Sequence, residues 1–154
     1  MNRTERPCPC GSGTLLGACC GRYIACVPGG FVAAPRAEAD DREALAAAVV
    51  GRGAPTAEAL MRSRYTAFVL RDAPYLLATW AVASRPGRLS TSALTDWKRL
   101  LIQDTVAGGS ADATGEVQFT AVYVDGGRRG RQQERSSFRR EDGRWYYVDG
   151  EQLD

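Results

Sequence analysis

The sequence predicts an α+β protein with a small cysteine module at its front. Three observations carry that reading. Four of the five cysteines crowd into positions 8, 10, 19 and 20. Residues 56–71 place apolar side chains at helical spacing. Residues 117–123 alternate apolar with polar, and the chain beyond them is cut by Asp125-Gly126-Gly127 and Asp142-Gly143, which are hairpin signals. Helices followed by an antiparallel meander form an α+β plan. A length of 154 residues with 44% hydrophobic content suits one domain with an accessory module. The divisions fall at residues 1–24, the cysteine hook, 25–54, a connector, and 55–154, the α+β domain.

The hook is read as a Cys₄ site for one structural Zn²⁺, with Cys8, Cys10, Cys19 and Cys20 as ligands. Such a site wants four soft ligands at about 2.3 Å in a tetrahedron. Cys8 and Cys10 grip from one tight loop. Gly11-Ser12-Gly13 reverses the chain, because glycine tolerates positive φ. Cys19 and Cys20 close the shell. Four thiolates around the ion leave a net charge of −2, which Arg6, Arg22 and loop amides are placed to offset. The chain has no histidine, so a closed zinc site must be all sulfur. Two disulfides, or a redox-sensing cluster, are the competing readings. Disulfides need an oxidising compartment, and the polar start Met1-Asn2-Arg3-Thr4-Glu5-Arg6 lacks the apolar region of a signal peptide. A cytoplasmic location is therefore expected. No apolar run approaches the roughly 20 residues of a membrane span.

In the connector, Tyr23 and Ile24 are expected to pack the hook onto the main domain. Cys26, the odd cysteine, reads as a small apolar residue or a thiol able to exchange with the site. Val27 to Gly30 and Ala33 to Arg36 read as loop. Asp40 or Asp41 caps a short helix through Val50.

The main helix spans 56–71. Thr56 caps it and Glu58 sits in the first turn, where the helix dipole favours an acid. Met61, Tyr65, Phe68 and Val69 form one apolar stripe, with Leu60 and Arg64 on an adjoining face. A second short helix follows Asp72, with Tyr75, Leu76 and Trp80 supplying contacts. Arg85-Pro86-Gly87 breaks the pattern. Leu94–Gln103 fits a third helix or a strand, since Trp97, Leu100 and Leu101 have helical spacing. Gly108-Gly109 is a turn. Beyond it Val117, Phe119, Ala121 and Tyr123 share one strand face. Glu134, Ser136 and Phe138 share one face of the next strand, with Arg135, Ser137 and Arg139 on the other.

Cys8-Pro9-Cys10-Gly11-Ser12-Gly13 followed by Cys19-Cys20 resembles the SEC-C motif, a zinc hook also found at the C-terminus of the SecA translocation ATPase. Ala59 to Phe68, Tyr75 to Trp80, Glu134 to Phe138 and Trp145 to Gly150 resemble the YchJ-like family of uncharacterised bacterial proteins. The likeness covers the hook and most of residues 55–150. It implies a domain similar to nuclear transport factor 2, in which helices and a curved sheet form a cone. The family often has a histidine after the tryptophan matching Trp80; here Ala81 stands there. In such a cone the concave sheet face and the helices enclose a cavity. Arg62, Arg64, Tyr65, Trp80, Glu134 and Ser136 are the pocket candidates, with Arg62 or Arg64 paired to Glu134 inside. A buried pair of that kind is costly to desolvate, and it serves equally to tie helix to sheet. The aromatics serve equally as core.

Without histidine, Ser-His-Asp, Cys-His and His-metal machinery are excluded, and the balance leans away from an enzyme. Four thiolates also leave no open coordination position for a water-activating metal. The leading expectation is a protein-interaction adaptor that docks a partner through the hook. A cone that binds or converts a small molecule at Glu134 and Arg64 is the alternative. Nucleic-acid binding through Arg128, Arg129, Arg131, Arg139 and Arg140 comes last, because a net charge of +2 gives little phosphate attraction.

Overall fold

The computed structural model describes residues 3–24, 26–27, 31–32, 38–40, 53–91 and 95–153. Among the described residues it is α+β: two α-helices pack on a four-stranded antiparallel sheet, and the cysteine hook sits against the longer helix.

Helix α1, Ala57–Leu70, starts where predicted. Thr56 is extended and its side chain accepts a hydrogen bond from the Ala59 amide at 3.0 Å, satisfying one of the free amides of the first turn. Arg71 ends the helix in the left-handed region at φ 57°. The chain restarts at once as α2, Ala73–Ala78, capped by Asp72, which accepts from the Tyr75 amide at 3.1 Å. Pro74 sits in its first turn, where a missing N–H costs nothing.

In the connector Val27, expected in a loop, lies in a strand, and the other expected loop residues, 28–30 and 33–36, lie outside the described residues. β1, Cys26–Val27, pairs with β2, Phe31–Val32, and β3, Glu38–Asp40, pairs with β4, Arg88–Ser90. Asp40 is the last residue of β3. The rest of the expected helix to Val50, and the side chain of Cys26, lie outside the described residues.

The main sheet is a meander of β5, Thr95–Ala107, β6, Thr114–Asp125, β7, Arg128–Glu141, and β8, Arg144–Leu153. The helical option for Leu94–Gln103 is overturned from Thr95 onward, and Leu94 lies outside the described residues. The reason is visible in the register. Trp97 faces Tyr123 while Arg99 faces Val122, so Lys98 is an extra residue; Gln103 is another, between Ile102 opposite Phe119 and Asp104 opposite Gln118. Each extra residue resets the alternation. Trp97, Leu100 and Ile102 therefore share the inner face although they are spaced by three and two, which imitates a helix. In β7 the alternation is unbroken, and Glu134, Ser136 and Phe138 are all buried.

One continuous core joins the parts. Cys8, Cys10, Leu16, Cys20, Tyr23 and Ile24 of the hook belong to the same buried cluster as Leu60, Met61 and Tyr65 of α1 and Val117, Phe119 and Phe138 of the sheet. Helix α1 is consequently buried nearly all round: Ser63, Thr66 and Ala67 are fully enclosed as well as Leu60. That is why its apolar stripe is diluted. A helix covered on several sides has no single solvent face to pattern.

Candidate functional site: a four-cysteine cluster and a cavity on opposite sides of one helix

The hook is a small knuckle. Pro7 bridges Leu15, the Cys8 amide donates to the Thr14 carbonyl at 2.9 Å, and the Gly11 amide donates to the Cys8 carbonyl at 3.1 Å. Gly11 and Gly13 take φ of 82° and 84°, the left-handed conformation the reversal needs. Short 3₁₀ turns at Leu16–Ala18 and Cys20–Arg22 bring the adjacent pair Cys19-Cys20 back to the loop.

The sulfurs of Cys8, Cys10, Cys19 and Cys20 all lie within 4.8 Å of one another, and those of Cys10 and Cys19 are 3.6 Å apart. A tetrahedron of thiolates with bonds of about 2.3 Å has edges of about 3.8 Å, so the set fits a four-coordinate metal. All four are free thiols, and Cys8, Cys10 and Cys20 are buried. Within the cluster, hydrogen bonds from the Cys20 and Cys8 thiols favour the Cys10 thiolate and lower its pKa, whereas Cys20 is held as the donor and its pKa is raised. A bound cation replaces those protons.

The offsetting charge comes partly from an unexpected residue. Arg62 of α1 donates to the Cys10 carbonyl and to Glu58, each at 3.0 Å. Burial opposes its charge, but Glu58 and Cys10 hold the guanidinium above its ordinary pKa. Arg22 donates to the Cys19 carbonyl at 3.1 Å, while Arg6 is exposed. Cys8 sulfur also meets the Thr66 hydroxyl at 3.7 Å. The knuckle thus sits directly on α1, and Arg62 faces it rather than the cone interior.

The other side of α1 lines a cavity of about 240 Å³ that is partly open to solvent. Met61, Arg64, Tyr65 and Phe68 form its helical wall; Trp80 and Tyr147 close one side; Trp97, Phe119, Ala121, Gln132, Glu134 and Ser136 form the sheet wall. Of the six pocket candidates, the structure places Arg64, Tyr65, Trp80, Glu134 and Ser136 here. Tyr147, Trp97, Phe68 and Gln132 were not selected from sequence; the signal available was that their alternation puts them on the same faces as Glu134 and Tyr65. Ala81 is buried and its amide donates to the Tyr147 carbonyl, away from the cavity lining.

The expected Arg–Glu ion pair does not form. Glu134 is satisfied by four donors: Ser136 Oγ and Tyr147 OH to Oε1 at 2.9 and 3.0 Å, and the Gln132 and Gln152 amides to Oε2 at 3.0 and 2.8 Å. Tyr147, whose pKa is raised first by burial and then by Glu134, stands between the two charges. Its ring centroid lies 4.6 Å from the Arg64 guanidinium, and that of Trp80 lies 5.3 Å away. Arg64 Nη1 donates to the Leu76 carbonyl and Thr79 hydroxyl at 2.7 and 2.8 Å. Burial lowers its pKa to about 10, which leaves it a cation at neutral pH. Tyr65, beside Trp97, is pushed up to about 12 by burial. The phenols are therefore neutral donors.

The surface arginines are dispersed. Arg139 pairs with Glu141 at 2.7 Å, and Arg140 donates to the Asp112 carbonyl at 2.7 Å.

Space for the Glu134 carboxylate is made by Gly150, where a Cβ would overlap it. Gly150→Ala is expected to displace the carboxylate from Ser136 and Tyr147 and to cost about 2 kcal/mol or more, the scale of unsatisfied buried polar groups. In a Glu134→Ala background the same change costs much less, by the logic of coupled neighbours. Equal losses in both backgrounds, measured by denaturant unfolding, would show that the overlap is not what matters.

The comparisons agree with this architecture. The family model "YchJ, middle NTF2-like domain" matches residues 56–150. A UPF0225 protein of Streptomyces coelicolor is 45% identical over 148 residues, covering 96% of this chain and 97% of its own. One from Chromobacterium violaceum is 43% identical over 146 residues, covering 93% and 90%. The solution structure of a SEC-C motif containing protein from Rhodopseudomonas palustris superposes with a TM-score of 0.67 at 30% identity, covering 96% of this chain and 98% of that one. The crystal structure of a SEC-C motif containing protein from Psychrobacter arcticus gives 0.67 at 23% identity, covering 97% and 84%, and speaks to the fold alone. With its cysteine knuckle, its two helices on a meander and these relatives, the chain belongs to the YchJ-like, UPF0225 family of uncharacterised bacterial proteins.

Proposed function

We propose that the protein is a zinc-stapled small-molecule-binding protein of the reducing cytoplasm, with the cone cavity as its binding site and the knuckle as its structural brace. The observation that carries this is the cavity itself. Protein interiors are close-packed, and an enclosed dry void of about 240 Å³ would cost on the order of 6 kcal/mol by the usual cavity coefficient. Here the space is kept, opened to solvent and furnished with charged groups. Concave, mostly apolar, with a few convergent polar groups, it has the make-up of a ligand site.

Zinc is favoured over other metals by the ligands. Four thiolates in a tetrahedron suit Zn²⁺ or iron, and a closed shell supplies folding energy rather than chemistry. Free thiols in such a cluster fit a reducing compartment. Elemental analysis should find about one zinc per chain and no visible iron absorbance. Because ligands must be deprotonated, acid releases the metal and holo stability falls as pH falls. Stripping it with a chelator at neutral pH should lower the melting temperature by about 10 °C or more, at roughly 2–4 °C per kcal/mol for a chain of this size. An apo protein that melts where the holo protein does contradicts the bracing role.

The ligand reading is tested by a thermal-shift screen of small metabolites against the zinc-loaded chain and against Ala121→Phe, which fills the cavity from the sheet. Hits on the parent that vanish in the variant are expected. Silence across a broad library, or shifts indifferent to Ala121→Phe, argues against the cavity as the site.

A second reading keeps the knuckle as a docking surface for a protein partner, and one observation favours it. Leu15 is 49% exposed at the tip, beside the exposed residues 11–14. If this surface docks a partner, Leu15→Asp should lose specific cross-linked partners while keeping its zinc. An unchanged set of partners speaks for the cavity alone.

A further inference from the structure

The wall of the cavity carries a cation that no described residue meets in a direct ion pair. Arg64 is only 4% exposed. Among the described residues no carboxylate lies within ion-pair distance of it, and only its Nη1 finds hydrogen-bond acceptors, the Leu76 carbonyl and the Thr79 hydroxyl. Its Nε and Nη2 protons have no acceptor among those residues. The indole N–H of Trp80, which lines the same space, is buried and also lacks an acceptor among them. Buried charges are ordinarily paired, and a guanidinium edge is shaped for a two-pronged anion.

The nearest acid is already spoken for. Both oxygens of Glu134 accept two hydrogen bonds each, so the carboxylate is saturated and cannot turn to Arg64. We propose, building on the ligand-binding reading of the cavity, that this site takes a small organic monocarboxylate with a flat or branched apolar body, its carboxylate seated on the free edge of Arg64.

Each competing class meets an obstacle. A cationic ligand would want the aromatic faces, but Tyr147 and Trp80 already face the guanidinium at 4.6 and 5.3 Å, and like charges repel. A neutral ligand gives the edge of Arg64 only weak acceptors, and the one anion of the wall, Glu134, is held off by Tyr147. A phosphate dianion would set two negative charges beside Glu134 in the same wall, whereas a carboxylate sets only one. Size agrees. A volume of about 240 Å³ lies below the range of drug-sized sites and suits a body of one ring. Phe68, Trp97 and Phe119 supply the apolar lining for it.

Trp80 and Trp97 make the experiment direct, since their fluorescence reports occupancy. The zinc-loaded full chain is titrated with benzoate, benzamide, benzylamine and phenyl phosphate. Saturable benzoate binding is expected, with benzamide and benzylamine weaker by about tenfold or more, the worth of a charge-assisted pair. Phenyl phosphate is expected to be weaker as well. Arg64→Met, with zinc content and circular dichroism retained, should lose benzoate binding, and Arg64→Lys should recover part of it. Should Arg64→Met fail to fold, Ala121→Phe takes its place: it leaves Arg64 intact and must abolish binding by filling the space. If benzamide, benzylamine or phenyl phosphate binds as tightly as benzoate and Ala121→Phe abolishes it, the monocarboxylate is overturned while the cavity stands as a site. If none of the four saturates below about 10 mM, both readings fall. Benzoate binding that survives Ala121→Phe places it outside the cavity and overturns the proposal too.

Discussion

Four sulfurs that converge against one face of a helix set the terms for everything else in this molecule. The knuckle buries little apolar surface of its own: Leu16, Tyr23 and Ile24 are its contribution beyond the cysteines. A module that small cannot hold a fold by hydrophobic burial. Cys8, Cys10, Cys19 and Cys20 are positioned to hold a metal ion, whose coordination would supply what burial does not, and the knuckle touches α1 through Cys8 to Thr66 and Arg62 to the Cys10 carbonyl.

Helix α1 is thereby made a wall shared by two sites. Residues two apart on a helix point in opposed directions, about 200° around the axis. Arg62 and Arg64 use that opposition. Arg62 reaches out to the sulfur cluster and to Glu58, half in solvent; Arg64 reaches in, between Trp80 and Tyr147. Two guanidiniums in one turn therefore have unrelated surroundings, one against the cysteine knuckle and one at the cavity wall. The expectation that either residue pairs with Glu134 fails on this geometry. Arg62 faces the wrong way, and Tyr147 lies between Arg64 and the acid.

Much of this was written legibly in the chain, and the exceptions have physical causes. The cysteine spacing with Gly11 and Gly13, the Thr56 and Asp72 caps, the turns at Gly108, Gly126 and Gly143 and the alternation of Glu134, Ser136 and Phe138 are all local signals, and local signals survive into the fold. The failures are where one residue's fate depends on distant ones. The inserted Lys98 and Gln103 broke the alternation of β5 into something helix-like, and only the partner strand reveals that they are bulges. Short strands β1 to β4 are too brief for any period to show. The polar residues Ser63 and Thr66 lie outside the apolar stripe of α1, yet they are buried together with Arg64 because the knuckle, α2 and the sheet cover α1 from separate directions. Ser63 is satisfied there by the Leu60 carbonyl and the Tyr75 hydroxyl, neither of which a periodic pattern can foresee.

The position of Glu134 completes the logic. A buried carboxylate with four donors is expensive to assemble and rigid once made. Its two oxygens fix Ser136 and Tyr147 on one side and Gln132 and Gln152 on the other, and Gly150 is kept bare to admit it. Through Tyr147 it also fixes the ring that faces Arg64. Two backbone hydrogen bonds tie the same tyrosine to the end of α2, where its amide donates to the Thr79 carbonyl and its carbonyl accepts from the Ala81 amide, each at 2.8 Å. The chain of contacts runs from Glu134 to Tyr147 to Arg64, and from Arg64 along α1 to the cysteine cluster. The cysteine knuckle backs α1 from one side, and Glu134 supports Tyr147 from the other. Between them Arg64 is kept from water, where a guanidinium is better solvated. The free edge of that arginine stays buried only because it is held from both ends.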